Sequence, residues 1–143
     1  KHSENLYFRS LLLKTLINDF NNPNISFDQD LSSPWAISSI RKCKKKYNFI
    51  DIDFVIGSDL LEEIIVWKNI NEIFKEANLL IIPRIDYPIK EKSLKLIKDL
   101  HGKFKISLFQ IPKISSSNIR GDINYAGLPK CLIPIIEKNN LYS

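Results

Sequence analysis

Apolar residues recur at positions 8, 12, 16, 17 and 20. This spacing puts Phe8, Leu12, Leu16 and Phe20 on one helical stripe and predicts a first helix, closed by Asn21-Asn22-Pro23. Ile25-Ser26-Phe27 is a short strand candidate. Ser33-Pro34 has the chemistry of a helix start, with serine as N-cap and proline in the first turn. Trp35, Ile37, Ile40, Cys43 and Tyr47 then line a helix ending near Asn48. Ile52–Ile56 reads as a buried strand stopped by Gly57-Ser58-Asp59. A helix is expected through Leu60–Ile65, a break near Trp67, and a further helix over Ile70–Ala77. Leu79–Ile82 is a second strand stopped by Pro83, Lys90–Leu100 an amphipathic helix ending at His101-Gly102, and Phe104–Phe109 a third strand. A short helix begins in Ser116–Asp122. The last helix covers Pro129–Asn139, with Pro134 inside it at the expected cost of a hydrogen bond.

Strands alternating with helices of this length predict βαβ units, an α/β fold and a parallel sheet. The short apolar strands are expected to be covered on both faces. No repeat, low-complexity tract or internal linker interrupts the pattern, so residues 1–143 read as one domain. Sheets of this kind bind ligands at the carboxyl ends of their strands, which directs attention to the loops after Ile56, Ile82 and Phe109.

Composition adds boundaries. The chain carries a formal charge of +5, which favours anionic partners without choosing among them. Lys42, Lys44, Lys45 and Lys46 form the one dense basic run, which suits a solvated helix face. Cys43 and Cys131 form no CxxC pair, an argument against a zinc site or a disulfide framework and in keeping with a cytoplasmic protein. No apolar run has the length that crosses a bilayer, and no signal peptide is visible. With no methionine anywhere, the chain is expected to be processed, tagged or cut from something longer. Glu4–Ser10 reads ENLYFRS, one residue away from a protease site used in expression tags. The helical stripe through Phe8 favours native sequence instead.

Three loops hold candidate chemistry. Ser115, Ser116 and Ser117 precede Ile119 and Arg120 at an expected helix start, where free N–H groups, hydroxyls and a guanidinium would converge on an anion. The same residues suit a plain serine cap beside a solvated arginine. Gly57 permits close backbone approach, and Asp59 fits either a helix cap or a ligand acceptor. Trp67 suits core packing or stacking on a ligand ring, and Arg84 follows directly after a strand. There is no GxGxxG and no GxxxxGK[ST], and His2 and His101 are isolated, so no nucleophile–histidine pair can be argued.

Taken in order, these loops resemble the nicotinate-nucleotide adenylyltransferase family of bacterial NAD synthesis. Asp53-Phe-Val-Ile-Gly-Ser-Asp-Leu60 resembles the family's strand and G-x-D turn, and Trp67 falls where the family has its tryptophan. Ala77-Asn-Leu-Leu-Ile-Ile-Pro-Arg-Ile-Asp-Tyr-Pro88 resembles its AN…PRPGYP segment, and Ile114-Ser-Ser-Ser-Asn-Ile-Arg120 its ISSTxIR signature. Leu128-Pro129 through Asn140-Leu141-Tyr142 resembles its C-terminal helix and ending, and Arg9 with Leu12 and Leu13 its R-x-x-M-L helix. The serine–arginine signature alone is shared with other nucleotidylyltransferases. The ordered set covers nearly the whole chain and is more specific.

The resemblance implies a Rossmann-like nucleotidyltransferase fold that lacks its N-terminal βα unit. It also implies an enzyme that passes the adenylyl group of ATP to nicotinate mononucleotide, with Mg2+ and no covalent intermediate. By the same resemblance Ser116, Ser117 and Arg120 would hold ATP phosphates and Gly57 and Asp59 would contact the nucleotide. Trp67 would stack on the pyridine ring, with Arg84 on the pyridine side. The implied partners are ATP and a pyridine mononucleotide, with no nucleic acid and no membrane, and assembly into a homo-oligomer stays open. Three departures stand out. The family's GxFxPxHxGH loop is absent from these residues, so the chain by itself is expected to turn over negligibly. Trp35-Ala36 aligns with a tyrosine–threonine pair that meets the nicotinate carboxylate, which leaves acid against amide preference open. Ile85-Asp86 replaces Pro-Gly. The alternatives are a sister nucleotidyltransferase with another phosphate acceptor and a non-catalytic nucleotide-binding module.

Overall fold

A computed structural model describes residues 5–48, 51–111 and 127–141. In chain order its elements are helix α1 (Leu6–Phe20), helix α2 (Ala36–Tyr47), strand β1 (Asp53–Gly57), helix α3 (Ile70–Glu76), strand β2 (Asn78–Ile82), helix α4 (Glu91–Asp99), strand β3 (Phe104–Ile106) and helix α5 (Ile133–Lys138). The described residues fall into two compact units, one drawn from Lys1–Gln29 and Ile114–Ser143, the other from Asp30–Lys113.

The larger unit holds the sheet. Its three strands are parallel in the order β1-β2-β3, with Ile56, Ile81 and Ile106 in one register row and Val55, Leu80 and Lys105 in the next. Side chains alternate across a strand. Leu79 and Ile81 therefore point to one face, where they are fully buried with Ile37, Ile40, Ile73 and Ile97 from the three helices. On the other face Val55 is 58% exposed. Coverage of both faces, expected for every strand, is thus approached only by the central β2.

Several predicted boundaries shift for local reasons. Ile25-Ser26-Phe27 forms no strand, because no neighbouring strand pairs with it. Ser33 is not the N-cap of α2. Its hydroxyl accepts from the Trp35 N–H at 3.2 Å, and Trp35 itself occupies the cap position, taking the Ser38 and Ser39 N–H bonds on its carbonyl. The helix expected over Leu60–Ile65 resolves into two 3-10 turns, Ser58–Leu60 and Ile64–Val66. Every bond there closes three residues back, and Leu61 and Ile64 are buried at the same interval. β3 ends at Ile106 rather than Phe109. The chain turns at Ser107, whose hydroxyl accepts from the Phe109 N–H, and Leu108 and Phe109 emerge into solvent. α4 closes as predicted at His101-Gly102. His101 takes the left-handed conformation, and a Cβ on Gly102 would press on Ile97 and Phe74.

In the smaller unit α1 packs Phe8, Leu12 and Leu16 against Leu132, Ile136 and Leu141. Asn5 caps α1 by accepting from the Phe8 N–H at 3.1 Å, so residues 5–10 form the cap and first turn of a packed helix. Pro134 does not break α5. A 3-10 turn over Lys130–Leu132 delivers it to the first turn, where its missing N–H costs nothing.

Leu79→Ala is expected to lower unfolding free energy by about 2–5 kcal/mol, through lost transfer energy and a cavity under the sheet. Val55→Ala is expected to change it by less than about 1 kcal/mol. Urea unfolding followed by far-ultraviolet circular dichroism measures both.

Candidate functional site

The parallel pairing of β1 and β2 sets Gly57 beside Ile82, so the loops leaving both strands start at the same edge. Ser58 fastens them together. Its buried hydroxyl donates to the Tyr87 carbonyl at 2.6 Å and accepts from the Arg84 N–H at 2.9 Å. Arg84 and Tyr87 close a tight turn, with the Tyr87 N–H donating to the Arg84 carbonyl and the guanidinium 5.5 Å from the Tyr87 ring. The loop after β3 returns to the same edge, where the Ile111 N–H donates to the Pro83 carbonyl at 2.8 Å.

Two predicted site residues meet here. The Arg84 guanidinium bonds the Asp59 carboxylate at 2.7 Å, and each side chain is about a quarter exposed. Partial burial and a planar donor make this stronger than a fully solvated pair, worth on the order of 1 kcal/mol or somewhat more. Gly57 leaves room for the same contact, since a Cβ there would press on Asp59 Oδ1 and crowd Arg84 Cδ until those side chains turned aside. Gly57, Asp59 and Arg84 thus form one constellation at the carboxyl ends of two parallel strands, where sheets of this class hold ligands.

Trp67 belongs to a different set. The second 3-10 turn ends on it, its backbone is extended, and Asn69 follows in the left-handed conformation before α3. Its indole stands edge-on to Phe54 at 6.4 Å and lines a cavity of about 540 Å³ with Pro34, Trp35, Ala36 and Lys68. Arg84 and Asp59 are not among the lining residues. The Lys68 ammonium lies 4.5 Å from the centre of the Trp35 ring. Ser116, Ser117 and Arg120 lie outside the described residues. Sequence reasoning missed Ser58 as the fastener of the loops and Lys68 as a cavity wall, while Trp35-Ala36, set by the resemblance beside the pyridine, does line the Trp67 cavity. The available signal was the position of Lys68 directly after Trp67.

Cys131 offers no nucleophile. Partial burial and the Asp19 carboxylate push its thiol above the usual range, so it stays protonated at neutral pH. Among the described residues no helix is long and apolar enough to cross a membrane.

A parallel α/β sheet with ligand-type loops at its carboxyl edge is the architecture of a Rossmann-like nucleotidyltransferase, and a solved structure of that class superposes on nearly the whole chain. Plasmodium falciparum nicotinic acid mononucleotide adenylyltransferase, complexed with NaAD, matches 99% of this chain and 76% of its own with a TM-score of 0.73 and 26% identity. The same protein complexed with APC gives a TM-score of 0.70. The probable nicotinate-nucleotide adenylyltransferase of Clostridium perfringens is 29% identical over 117 residues, 76% of this chain and 57% of that protein. The corresponding Borrelia hermsii protein is 36% identical over 114 residues, 76% of this chain and 55% of its own. No protein-family model matches. By sequence and by fold the chain is a relative of the nicotinate-nucleotide adenylyltransferases, as its ordered loops implied. It spans little more than half the length of these two curated relatives.

Gly57→Ala is expected to cost about 1 kcal/mol of stability by pushing the Asp59 carboxylate off Arg84. Asp59→Ala removes the same bond. The double variant should therefore cost less than the sum of the singles by about 0.5 kcal/mol or more, read from urea midpoints in a double-mutant cycle. Strict additivity would place the strain of Gly57→Ala elsewhere.

Proposed function

We propose that this chain forms part of an enzyme that transfers the adenylyl group of ATP to nicotinate mononucleotide. The observation that carries the reading is the aromatic cavity holding Trp67, of a size that suits a planar pyridine ring. The two solved complexes support it, since that related protein holds NaAD in one and APC in the other. In the reaction the 5′-phosphate of the mononucleotide attacks the α-phosphate of ATP in line. A new phosphoanhydride bond forms, the α–β bond breaks, and pyrophosphate leaves. Such chemistry asks the protein for positioning and charge stabilisation rather than a covalent intermediate.

In this reading Trp67 stacks on the pyridine, Gly57 and Asp59 meet the nucleotide, and Arg84 orients Asp59. Ser116, Ser117 and Arg120 hold the ATP phosphates. Magnesium arrives with ATP, as is usual for an ion bound largely through phosphate oxygens. Among the described residues no three His, Cys, Asp or Glu side chains cluster to hold one. Residues 1–143 act as one nucleotidyltransferase domain in the cytoplasm, and nicotinamide mononucleotide is the second acceptor to be tested.

The 143 residues contain no GxFxPxHxGH loop, and by themselves they are expected to release negligible pyrophosphate from ATP and nicotinate mononucleotide. Robust release by this chain alone would contradict that. In the complete enzyme, Trp67→Ala should raise KM for the mononucleotide about tenfold or more and leave KM for ATP little changed, consistent with lost ring stacking. Arg120→Ala should impair ATP use, and unchanged ATP kinetics would remove Arg120 from the site.

A further inference from the structure

We infer that Lys68 is a specificity-determining residue that selects a pyridine carboxylate over the corresponding carboxamide in the Trp67 cavity. This rests on the reading of that cavity as the pyridine site. The cavity is walled by two indoles, Trp35 and Trp67, and by Phe54, Val66 and Ile73, with serine hydroxyls at Ser33 and Ser39. Lys68 is the one charged residue among the described residues lining it. Among the described residues no carboxylate pairs with its ammonium, which instead rests 4.5 Å from the Trp35 ring. The described wall therefore offers aromatic surface and one positive charge, with no acidic residue among its described members. The pyridinium ring of a mononucleotide is itself cationic, so a 3-carboxylate gives Lys68 an anionic partner, whereas a 3-carboxamide leaves only positive charge facing it.

The backbone fixes where this charge sits. Trp67 is extended, Asn69 is left-handed, and Lys68 between them starts from the same turn that presents the Trp67 indole. Trp67 and Lys68 both line the cavity, so a ring stacked on Trp67 would occupy space that Lys68 borders. The Trp35 face holds the ammonium against the wall of the cavity and lowers the entropy lost when a carboxylate binds it. Ser33 and Ser39 supply the neutral hydroxyls of this wall, and Lys68 adds the cation. A charge-assisted hydrogen bond strengthens with a carboxylate and gains little from a carboxamide.

Both tryptophans of the chain line the cavity, so its intrinsic fluorescence reports occupancy directly. The experiment titrates nicotinate mononucleotide and nicotinamide mononucleotide into the 143-residue chain at low salt, for the native sequence, Lys68→Gln and Lys68→Arg. Lys68 is exposed, and circular dichroism verifies that the variants fold. The native chain is expected to bind the acid about tenfold more tightly than the amide, in line with one charge-assisted hydrogen bond. Lys68→Gln should bring that ratio close to one by weakening the acid alone, and Lys68→Arg should restore most of it. An equal response to both ligands in the native chain, or a ratio untouched by Lys68→Gln, overturns the inference and leaves the pyridine site standing. Quenching by neither mononucleotide overturns the pyridine site and the inference together.

Discussion

The in-register parallel pairing of β1 with β2 is the constraint on which the rest depends. Leu79 and Ile81 are fully buried beneath that pair, and a slip of one residue would turn both to the opposite face. Each fully buried aliphatic side chain contributes about 1.5–3 kcal/mol, enough to hold the register. With the register fixed, Gly57 and Ile82 end side by side, and the loops after them have no choice but to meet. The buried Ser58 hydroxyl then ties one loop to the other through one donated and one accepted bond. The Arg84–Asp59 ion pair is a consequence of this arrangement rather than its cause.

The same geometry explains why small residues recur at this edge. Gly57 leaves room for the Asp59 carboxylate, and Asp59 is then free to face Arg84. In solution such a pair would be screened and weak. Here each side chain has lost about three quarters of its exposure, which sharpens the electrostatics and pre-orients a carboxylate towards whatever occupies the strand ends. The Trp67 cavity follows a different logic. It is made from the ends of helical turns, where aromatic side chains stand between elements and leave space that neither element fills.

Sequence periodicity was a good guide wherever a pattern ran for several residues. The stripe of Phe8, Leu12 and Leu16, the apolar runs that became β1 and β2, and the αL closures at Asn21, Asn48 and His101 all read directly. Errors came where a few residues had to decide between competing local bonds. Ser33 offered a cap but turned its hydroxyl to Trp35, and Leu60–Ile65 had helical composition but only enough length for 3-10 turns. The meeting of Asp59 and Arg84 is set by strand register, which no local pattern encodes, although each residue was singled out by its loop. Lys68 follows Trp67 directly, but its significance lies in facing Trp35, more than thirty residues earlier, which no local pattern encodes. The serine–arginine segment was the clearest motif of the sequence, and Ser116, Ser117 and Arg120 fall outside the described residues.

The central claim is that this chain presents a pyridine mononucleotide site in the cavity walled by Trp67. A crystal structure of the chain soaked with nicotinate mononucleotide tests it most directly. The account predicts the pyridine ring parallel to the Trp67 indole inside that cavity. An empty cavity with the nucleotide bound elsewhere would contradict it.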